Sequence, residues 1–232
     1  MAAGPNDEVT APAPYFTPSE APPVGDGAGS GQGPGLGGGD LAGGKKGALE
    51  DGAWIVFEDE SGFSLIPPIR ATWAPKGKTP MLRYRFHWQR VSAAAFLCFQ
   101  PDGSRARLYL HTHMGSYNSQ TLIVALRDLR RRLRAPVVLL WDGLTAHRSA
   151  EMKEFVTKSA KWLKCERMPA YAPDLNPCEG LWGYLKGGDL ANRAESSIGV
   201  VAELAQSGAR RAGRSQQLIF SFLTRTGLSL SP

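Results

Sequence analysis

Residues 137–143 read Val137-Val138-Leu139-Leu140-Trp141-Asp142-Gly143. Five apolar residues in succession leave no polar face, so this run predicts a strand that is buried on both sides of a sheet and ends on a carboxylate. Open α/β sheets place their chemistry outside strand ends, which makes Asp142 the first candidate site residue. The alternative is an ordinary Asp-Gly turn, and partner residues elsewhere in the chain must decide between the two.

A second apolar run, residues 53–57, leads into three acids, Glu58, Asp59 and Glu60. Two buried strands that each end on a carboxylate are harder to attribute to turn chemistry than one, although three consecutive acids can also form a solvated strand end. Side chains alternate between the faces of a strand, so Asp59 and Glu60 are expected on opposite faces. Asp59 becomes the second candidate, and Glu60 is interpreted as structural.

The third acid, Glu179, follows a turn-rich loop. Asn176 fits the N-cap of a helix with Pro177 at its first position, and this helix is predicted to run through Lys186 and stop at residues 187–188. The segment from Asn176 to Glu179 also fits a capping box, in which the glutamate accepts a hydrogen bond from the amide of the cap residue. Glu179 can therefore cap its helix, face the other two acids, or do both in part.

The remaining pattern completes a coarse topology. A turn sequence at residues 100–103 predicts a hairpin of the strands 91–99 and 106–111. The chain continues with a helix from Asn118 to about Arg134, a helix at 150–160, a strand at 162–168, and helices at 195–211 and 216–224. This order predicts the α/β class, with a ribonuclease-H-like mixed sheet that starts antiparallel and is flanked by helices.

The first 44 residues differ in composition from the rest of the chain. They contain 12 Gly and 7 Pro, five acids and no basic residue, and bury too little apolar surface to fold. We therefore expect a disordered Gly/Pro-rich tail over residues 1–49, a main domain over 50–190 and a C-terminal helical extension over 191–232. The chain after residue 44 carries 27 basic residues against 16 acidic ones, which points to a polyanionic partner.

The cysteines and the hydropathy indicate the compartment. Cys98, Cys165 and Cys178 are far apart and form no C-x-x-C pair, as is typical of reduced thiols in a cytosolic protein. The longest nearly apolar run, residues 91–99, is too short to span a bilayer, and the N-terminus lacks the pattern of a signal peptide. The protein is expected to be cytoplasmic, without membrane insertion.

Two basic segments are candidates for contact with a phosphate backbone. Apolar and basic residues alternate over residues 82–88, which places Arg83 and Arg85 on one face of a predicted strand, after Lys76 and Lys78. The alternative is a half-buried strand whose arginines face water. The same two interpretations apply to the outer face of the helix after Asn118, which carries Arg127, Arg130, Arg131 and Arg134.

Three carboxylates from two strand runs and one helix start suit a pair of hard divalent cations. They lie in Phe57-Glu58-Asp59-Glu60-Ser61, in residues 140–149 around Asp142, and in residues 171–186 around Glu179. Together with residues 73–77, these motifs resemble the DDE catalytic domain of IS630-type transposases, in the wider Tc1/mariner superfamily, from about residue 54 to residue 186.

The resemblance implies that Asp59, Asp142 and Glu179 are the catalytic and metal-binding triad. It also implies two Mg²⁺ or Mn²⁺ ions, cleavage of DNA at transposon ends, and attack of the freed 3′-hydroxyl on target DNA. His147 occupies a position where the family often has histidine, and it can contact DNA, brace the site or be only structural. Asn176 can aim Glu179 by capping its helix.

One departure from the family concerns DNA recognition. Family members usually carry N-terminal helix-turn-helix modules, and a Gly/Pro-rich segment stands in that place here. The resemblance therefore leaves two alternatives: a catalytic domain that works as a homodimer on DNA with a separately encoded helix-turn-helix product, or a catalytically inactive DNA-binding remnant. Either would be associated with the nucleoid.

Overall fold

The computed structural model describes residues 8–12, 48, 51–85, 88–142, 145–169 and 173–230. The strands in this part of the chain are β1 (Glu8–Pro12), β2 (Trp54–Ser64), β3 (Met81–Arg85), β4 (Arg90–Phe99), β5 (Ala106–Met114), β6 (Val137–Trp141) and β7 (Leu163–Arg167). The helices are α1 (Ser119–Leu133), α2 (Thr145–Arg148), α3 (Ala150–Lys158), α4 (Pro177–Tyr184), α5 (Ile198–Gly213) and α6 (Gln216–Thr224). A 3₁₀ turn, Pro173–Leu175, precedes α4, and a π-helical turn, Leu185–Asp189, follows it.

Five strands form the central sheet in the order β5-β4-β2-β6-β7. β4 and β5 pair antiparallel, as the hairpin prediction requires, and β4 also pairs antiparallel with β2. β6 pairs parallel with both β2 and β7. All five residues of β6 are buried, because this strand lies between two others and has helices on both faces. The predicted mixed sheet with an antiparallel start is confirmed.

β2 is longer than the apolar run that predicts it. The sequence indicates an end at the three acids, but the strand continues through Ser64 and the acids lie within it. β4 accounts for the difference, since it pairs with β2 as far as Ser64 opposite Arg90. The parallel pairing of β2 with β6 does stop early, at Phe57 opposite Leu140. Asp59 therefore lies just past the end of the parallel pairing, within a continuous strand.

Helices cover both faces of the sheet. One face packs against α1 and α3, and α1 contributes the four leucines that its sequence spacing predicts, Leu122, Leu126, Leu129 and Leu133. Asn118 caps α1 as expected, and it exchanges two hydrogen bonds with Thr121. The other face packs against α4, α5 and α6, which bury residues such as Leu181, Val201 and Phe222. The site residues of α4 thus lie on the second face.

The region around the C-terminal end of α4 differs from the prediction. The sequence indicates that the helix stops at residues 187–188, but the chain continues as a π-helical turn to Asp189. This turn packs on α5 at Gly208, where a Cβ would lie 2.2 Å from Asp189 Oδ2 and 2.6 Å from Leu185 Cδ2. Because Gly208 has no side chain, the turn can approach α5 closely, and the two C-terminal helices share the core of the main sheet.

The first strand lies in the segment that the sequence predicts to be disordered. Residues 8–12 form β1, which pairs antiparallel with β3 in a separate two-stranded sheet. Backbone pairing with an open strand edge requires no apolar core, so the poor composition of this segment does not prevent it. The other residues before 48, and residues 86–87 of the predicted basic strand, lie outside the described part of the chain. The proposed domain boundaries stay a prediction.

In the described ranges, no helix combines the length and the apolar character that crossing a bilayer demands. The three cysteines are free, with Cys98 and Cys178 buried and Cys165 half-buried. Burial raises the pKa of each thiol above its ordinary value, to about 12 for Cys165, so these side chains remain in the unreactive thiol form at neutral pH.

Candidate active site

Asp59 and Asp142 lie just beyond the last parallel pair of β2 and β6. Phe57 and Leu140 are partners across the last parallel pair, and Asp59 and Asp142 each follow two residues later. Within β2 an advance of two residues keeps a side chain on the same face, so Asp59 lies on the face that α4 covers. β6 ends at Trp141 and Asp142 follows it, where its negative charge acts on both Asp59 and Glu58.

α4 and the π-helical turn after it run along β2, and every fourth helical residue contacts every second strand residue. Cys178 Sγ lies 3.6 Å from the carbonyl oxygen of Phe57, Trp182 Nε1 donates to Asp59 Oδ2 at 2.7 Å, and Lys186 Nζ donates to Ser61 Oγ at 2.7 Å. Four helical residues rise about 6.0 Å and two strand residues about 6.6 Å, so every fourth helix residue meets every second strand residue. This match fixes the first turn of α4 beside the two acids.

The cap of α4 leaves Glu179 free of the capping role. Asn176 is buried and its side chain accepts a hydrogen bond from the amide of Cys178 at 3.0 Å, which confirms Asn176 as the N-cap. The amide of Asn176 itself donates to the carbonyl oxygen of Pro173 at 2.9 Å. A capping box would require that amide to donate to Glu179, so the capping-box interpretation is wrong. Glu179 is instead an exposed carboxylate in the first turn of the helix.

The electrostatics of Asp59 show that the three acids share one neighbourhood. Burial raises the pKa of Asp59 from 3.8 to about 7, against the opposing effect of the Trp182 hydrogen bond. The negative charges of Glu179, Glu60 and Asp142 raise this pKa further. A carboxyl group that is both desolvated and surrounded by like charges favours any arrangement that brings in positive charge.

A second acidic group lies on the opposite face of β2. Glu58 and Glu60 point away from Asp59, toward His147 on α2. His147 is buried and its ring stacks on Trp141, with 4.3 Å between the ring centroids and 9° between the planes. Its Nδ1 lies 2.9 Å from the backbone oxygen of Asp142 and 3.2 Å from Asp142 Oδ1. The ring therefore braces Asp142 from behind, and its burial argues against direct contact with DNA.

Charge and burial shift the pKa values of this second group. Burial raises the pKa of Glu58 well above its ordinary value, and the charges of Glu60, Asp59 and Asp142 act in the same direction. Burial by itself would lower the pKa of His147, but the oxygens of Glu60 and Asp142 outweigh it and raise that pKa. Carboxylates therefore occupy both faces of β2 at the level where β6 ends.

The basic residues that are candidates for contact with a phosphate backbone fall into two groups, exposed side chains and side chains that pack on aromatic rings. Lys76, Lys78 and Arg83 are exposed, while the side chain of Arg85 lies outside the described residues. On α1, guanidinium groups lie over aromatic rings: Arg127 over Phe155, Arg130 over Trp162 and Arg132 over Tyr109. Because these arginines have intramolecular partners, the structure favours a packing role for that part of the helix.

Comparison with known proteins gives the family. Residues 54–198, more than half of the chain, match the family described as the DDE superfamily endonucleases. The chain belongs to this family. The Tc3 transposase of Caenorhabditis elegans is 27% identical to it over 135 residues, which cover 56% of this chain and 40% of that protein.

Solved structures show the fold of this DDE superfamily member. The Mos1 mariner paired-end complex with Mn matches at a TM-score of 0.55 and 16% identity, over 80% of this chain and 55% of that chain. The Mos1 catalytic domain with Raltegravir and Mg matches at 0.50 and 15% identity, over 77% and 81% of the two chains. The ribonuclease-H-like fold is thereby confirmed. The chain spans about half the length, or less, of the full-length relatives that it matches.

Sequence reasoning missed two residues of this DDE-type site, Trp182 and Lys186. Trp182 lies on α4, four residues after Cys178, and Lys186 lies on the π-helical turn four residues further on; their partners lie on β2 at a spacing of two. The signal was present in the sequence, because residues 178, 182 and 186 share one helix face. Only the direction of α4 along β2 reveals that this face meets Asp59 and Ser61.

Proposed function

We propose that this chain is a transposase catalytic domain in which Asp59, Asp142 and Glu179 hold divalent metal ions and cleave DNA at transposon ends. The main support is that carboxylates from the end of β6 and the first turn of α4 act on Asp59 of β2: burial raises the pKa of Asp59 to about 7, and the charges of Glu179 and Asp142 act in the same direction. The freed 3′-hydroxyl then attacks target DNA.

The donor set fits Mg²⁺ or Mn²⁺, and we propose a pair of ions. Hard cations prefer carboxylate oxygens, and the mutual repulsion around Asp59 is the charge imbalance that such ions would relieve. Bound ions at a site of this type activate the attacking water or hydroxyl and stabilise the leaving oxygen of phosphoryl transfer. The described chain supplies no comparable group of carboxylates on this face of the sheet.

The residues around the triad hold its members in place. Trp182 donates to one oxygen of Asp59, which lowers the pKa of Asp59 and leaves its other oxygen for a ligand. His147 holds the end of β6 through both the backbone and the side chain of Asp142. Asn176 fixes the start of α4 and so the place of Glu179. The exposed Lys76, Lys78 and Arg83, with Arg85, are proposed to contact the DNA backbone.

The test is cleavage of DNA that carries the element's own ends. The full chain is incubated with this DNA and Mg²⁺ or Mn²⁺, and nicks and joined products are separated on denaturing gels. We expect metal-dependent products from the unmodified chain and loss of these products in Asp142→Asn. Glu179→Gln should also lose these products, and Glu151→Gln is its matched control, because Glu151 is an exposed glutamate in the first turn of α3.

Two outcomes would contradict the proposal. Cleavage that persists in Asp142→Asn would show that Asp142 is not a metal ligand. Salt-sensitive binding without any cleavage by the unmodified chain would favour the alternative, a catalytically inactive DNA-binding remnant. To separate that remnant from a chain that lacks its recognition module, the assay is repeated with any helix-turn-helix product encoded beside the chain.

The partners and the location follow from this proposal. A transposase must bring two DNA ends together, so we propose a homodimer on DNA and, for end recognition, a separately encoded helix-turn-helix product. Association with the nucleoid would follow from DNA binding. The domain organisation proposed is a tail over residues 1–49, the catalytic domain over 50–190 and a helical extension over 191–232.

A further inference from the structure

The buried group of Glu58, Glu60 and His147 has polar atoms that the proposed reaction does not use. Glu58 is fully buried, and the side chains of His147 and Glu60 are 1% and 11% exposed. Within the described residues, all four carboxylate oxygens and His147 Nε2 lack a hydrogen-bond partner. Buried groups of this kind are destabilising unless something satisfies them, so this group requires a ligand or a proton.

The position of one ring proton of His147 can be assigned from its neighbours. Its Nδ1 faces the backbone oxygen and the carboxylate oxygen of Asp142, and both of these atoms can only accept a hydrogen bond. Nδ1 therefore carries a proton. In the neutral ring, Nε2 then presents a lone pair to Glu58 and Glu60, whose carboxylates present lone pairs as well. Three electron-pair donors that face one another are the arrangement of a cation site.

The distances within the group match those of a metal site. His147 Nε2 lies 3.7 Å from Glu58 Oε2 and 3.5 Å from Glu60 Oε1, and one ligand atom from each residue lies within 4.8 Å of the others. These separations are longer than ordinary hydrogen bonds. In a tetrahedral site with metal–ligand bonds of about 2.0–2.2 Å, ligand atoms are about 3.3–3.6 Å apart. The two separations from His147 Nε2 are close to this spacing, and the oxygens of Glu58 and Glu60 lie within 4.8 Å of each other.

We propose that Glu58, Glu60 and His147 form a second metal site, a zinc site completed to a tetrahedron by a water molecule, on the face of the sheet that α1 and α3 cover. Two carboxylates neutralise the charge of Zn²⁺, and imidazole is a common zinc ligand. Metal-bound histidines typically donate their other ring N–H to a carboxylate or a backbone carbonyl, and Asp142 supplies both. The zinc ion would thus fix His147 and, through it, the end of β6.

The test measures zinc binding and needs no DNA. A background variant, Asp59→Asn with Glu179→Gln, weakens the proposed triad and leaves the buried group intact. After chelator treatment, this full-length variant is titrated with Zn²⁺, and bound metal is measured by mass spectrometry. We expect one ion per chain, with affinity reduced about a hundredfold or more when Glu60→Gln or His147→Gln is added. Glu151→Gln, added in the same way, should leave the affinity unchanged.

A second measurement uses the unmodified chain, so it remains decisive if the variants do not fold. Co²⁺ in a tetrahedral site with a histidine ligand absorbs strongly in the visible range, whereas six-coordinate Co²⁺ among oxygen ligands absorbs weakly. We expect the strong band at one equivalent of Co²⁺ and its loss on addition of Zn²⁺. Absence of the strong band, or zinc affinity that is the same with Glu60→Gln, would overturn the proposal and favour a proton shared within the group.

Discussion

The two faces of β2 carry carboxylates that are one residue apart in sequence but differ in burial and in neighbours. Asp59 is half-buried and faces α4, whose first turn carries the exposed Glu179. Glu58 and Glu60 face His147 in a group that is almost fully enclosed. We call the face of β2 with Asp59 the open face and the face with Glu58 and Glu60 the closed face. Position on a face, more than residue type, determines what each acid can do.

The largest expected effect comes from removing an acid on the open face. Asp59→Asn should reduce metal-dependent DNA cleavage about a thousandfold, equivalent to about 4 kcal/mol in activation free energy. Asparagine keeps the shape of the side chain but lacks the negative charge that a hard cation requires. The rate is measured under single-turnover conditions, with Glu151→Gln as the control. Unreduced cleavage would show that the open face is not the reactive one.

A smaller effect is expected from Trp182→Phe, which removes the hydrogen bond to Asp59 and keeps an aromatic ring. Because this bond lowers the pKa of Asp59, its loss should raise that pKa above about 7 and weaken metal binding at neutral pH, by about tenfold. The metal concentration for half-maximal cleavage should rise, while the rate at saturating metal and high pH recovers.

Trp73→Phe is the matched control for this substitution, since Trp73 is 84% exposed. If Trp182→Phe shifted neither the metal dependence nor the pH profile of cleavage, the hydrogen bond would have no role in tuning Asp59.

Packing behind the open face can be tested at Gly180. A Cβ there would lie 2.9 Å from Phe222 Cδ1 on α6, so Gly180→Ala should displace α4 and lower the free energy of unfolding by about 1–3 kcal/mol. Gly183→Ala is the control, because nothing lies within 4 Å of its Cβ and alanine favours the helix. Chemical denaturation of both variants measures the difference. Equal stability would show that α4 does not pack as described.

A last effect is a dependence of the free energy of unfolding on pH through Asp59. Asp59 has a pKa of 3.8 in an unperturbed chain and about 7 in the fold, so the folded state binds the proton more tightly. Stability contributed by this group is present below pH 4 and is lost as the pH rises toward and through 7. With chelator present, the melting temperature of Asp59→Asn should therefore be about 3 °C or more above that of the unmodified chain at pH 8. Near pH 4 the two melting temperatures should be equal. An equal gain at both pH values would contradict the pKa assignment.

Much of the open face could be predicted from the sequence, and little of the closed one. Continuous apolar runs indicate strands of a covered sheet, and the cap signature of Asn176 and Pro177 indicates α4, so the three candidate acids follow from local pattern. The length of β2 could not be predicted, because it depends on pairing with β4. The buried group of Glu58, Glu60 and His147 could not be predicted either. His147 is far from Glu58 in the chain, and the stacking of its ring on Trp141 places it beside Glu58.

Anomalous diffraction from crystals grown with Mn²⁺ and Zn²⁺ shows which metal binds on each face of β2. Data collected on both sides of each absorption edge identify which element lies at each peak. We expect manganese in contact with Asp59, Asp142 and Glu179. Crystals in which these three carboxylates bind no manganese, with manganese only beside Glu58, Glu60 and His147, would contradict the assignment of the open face of β2 as the catalytic site.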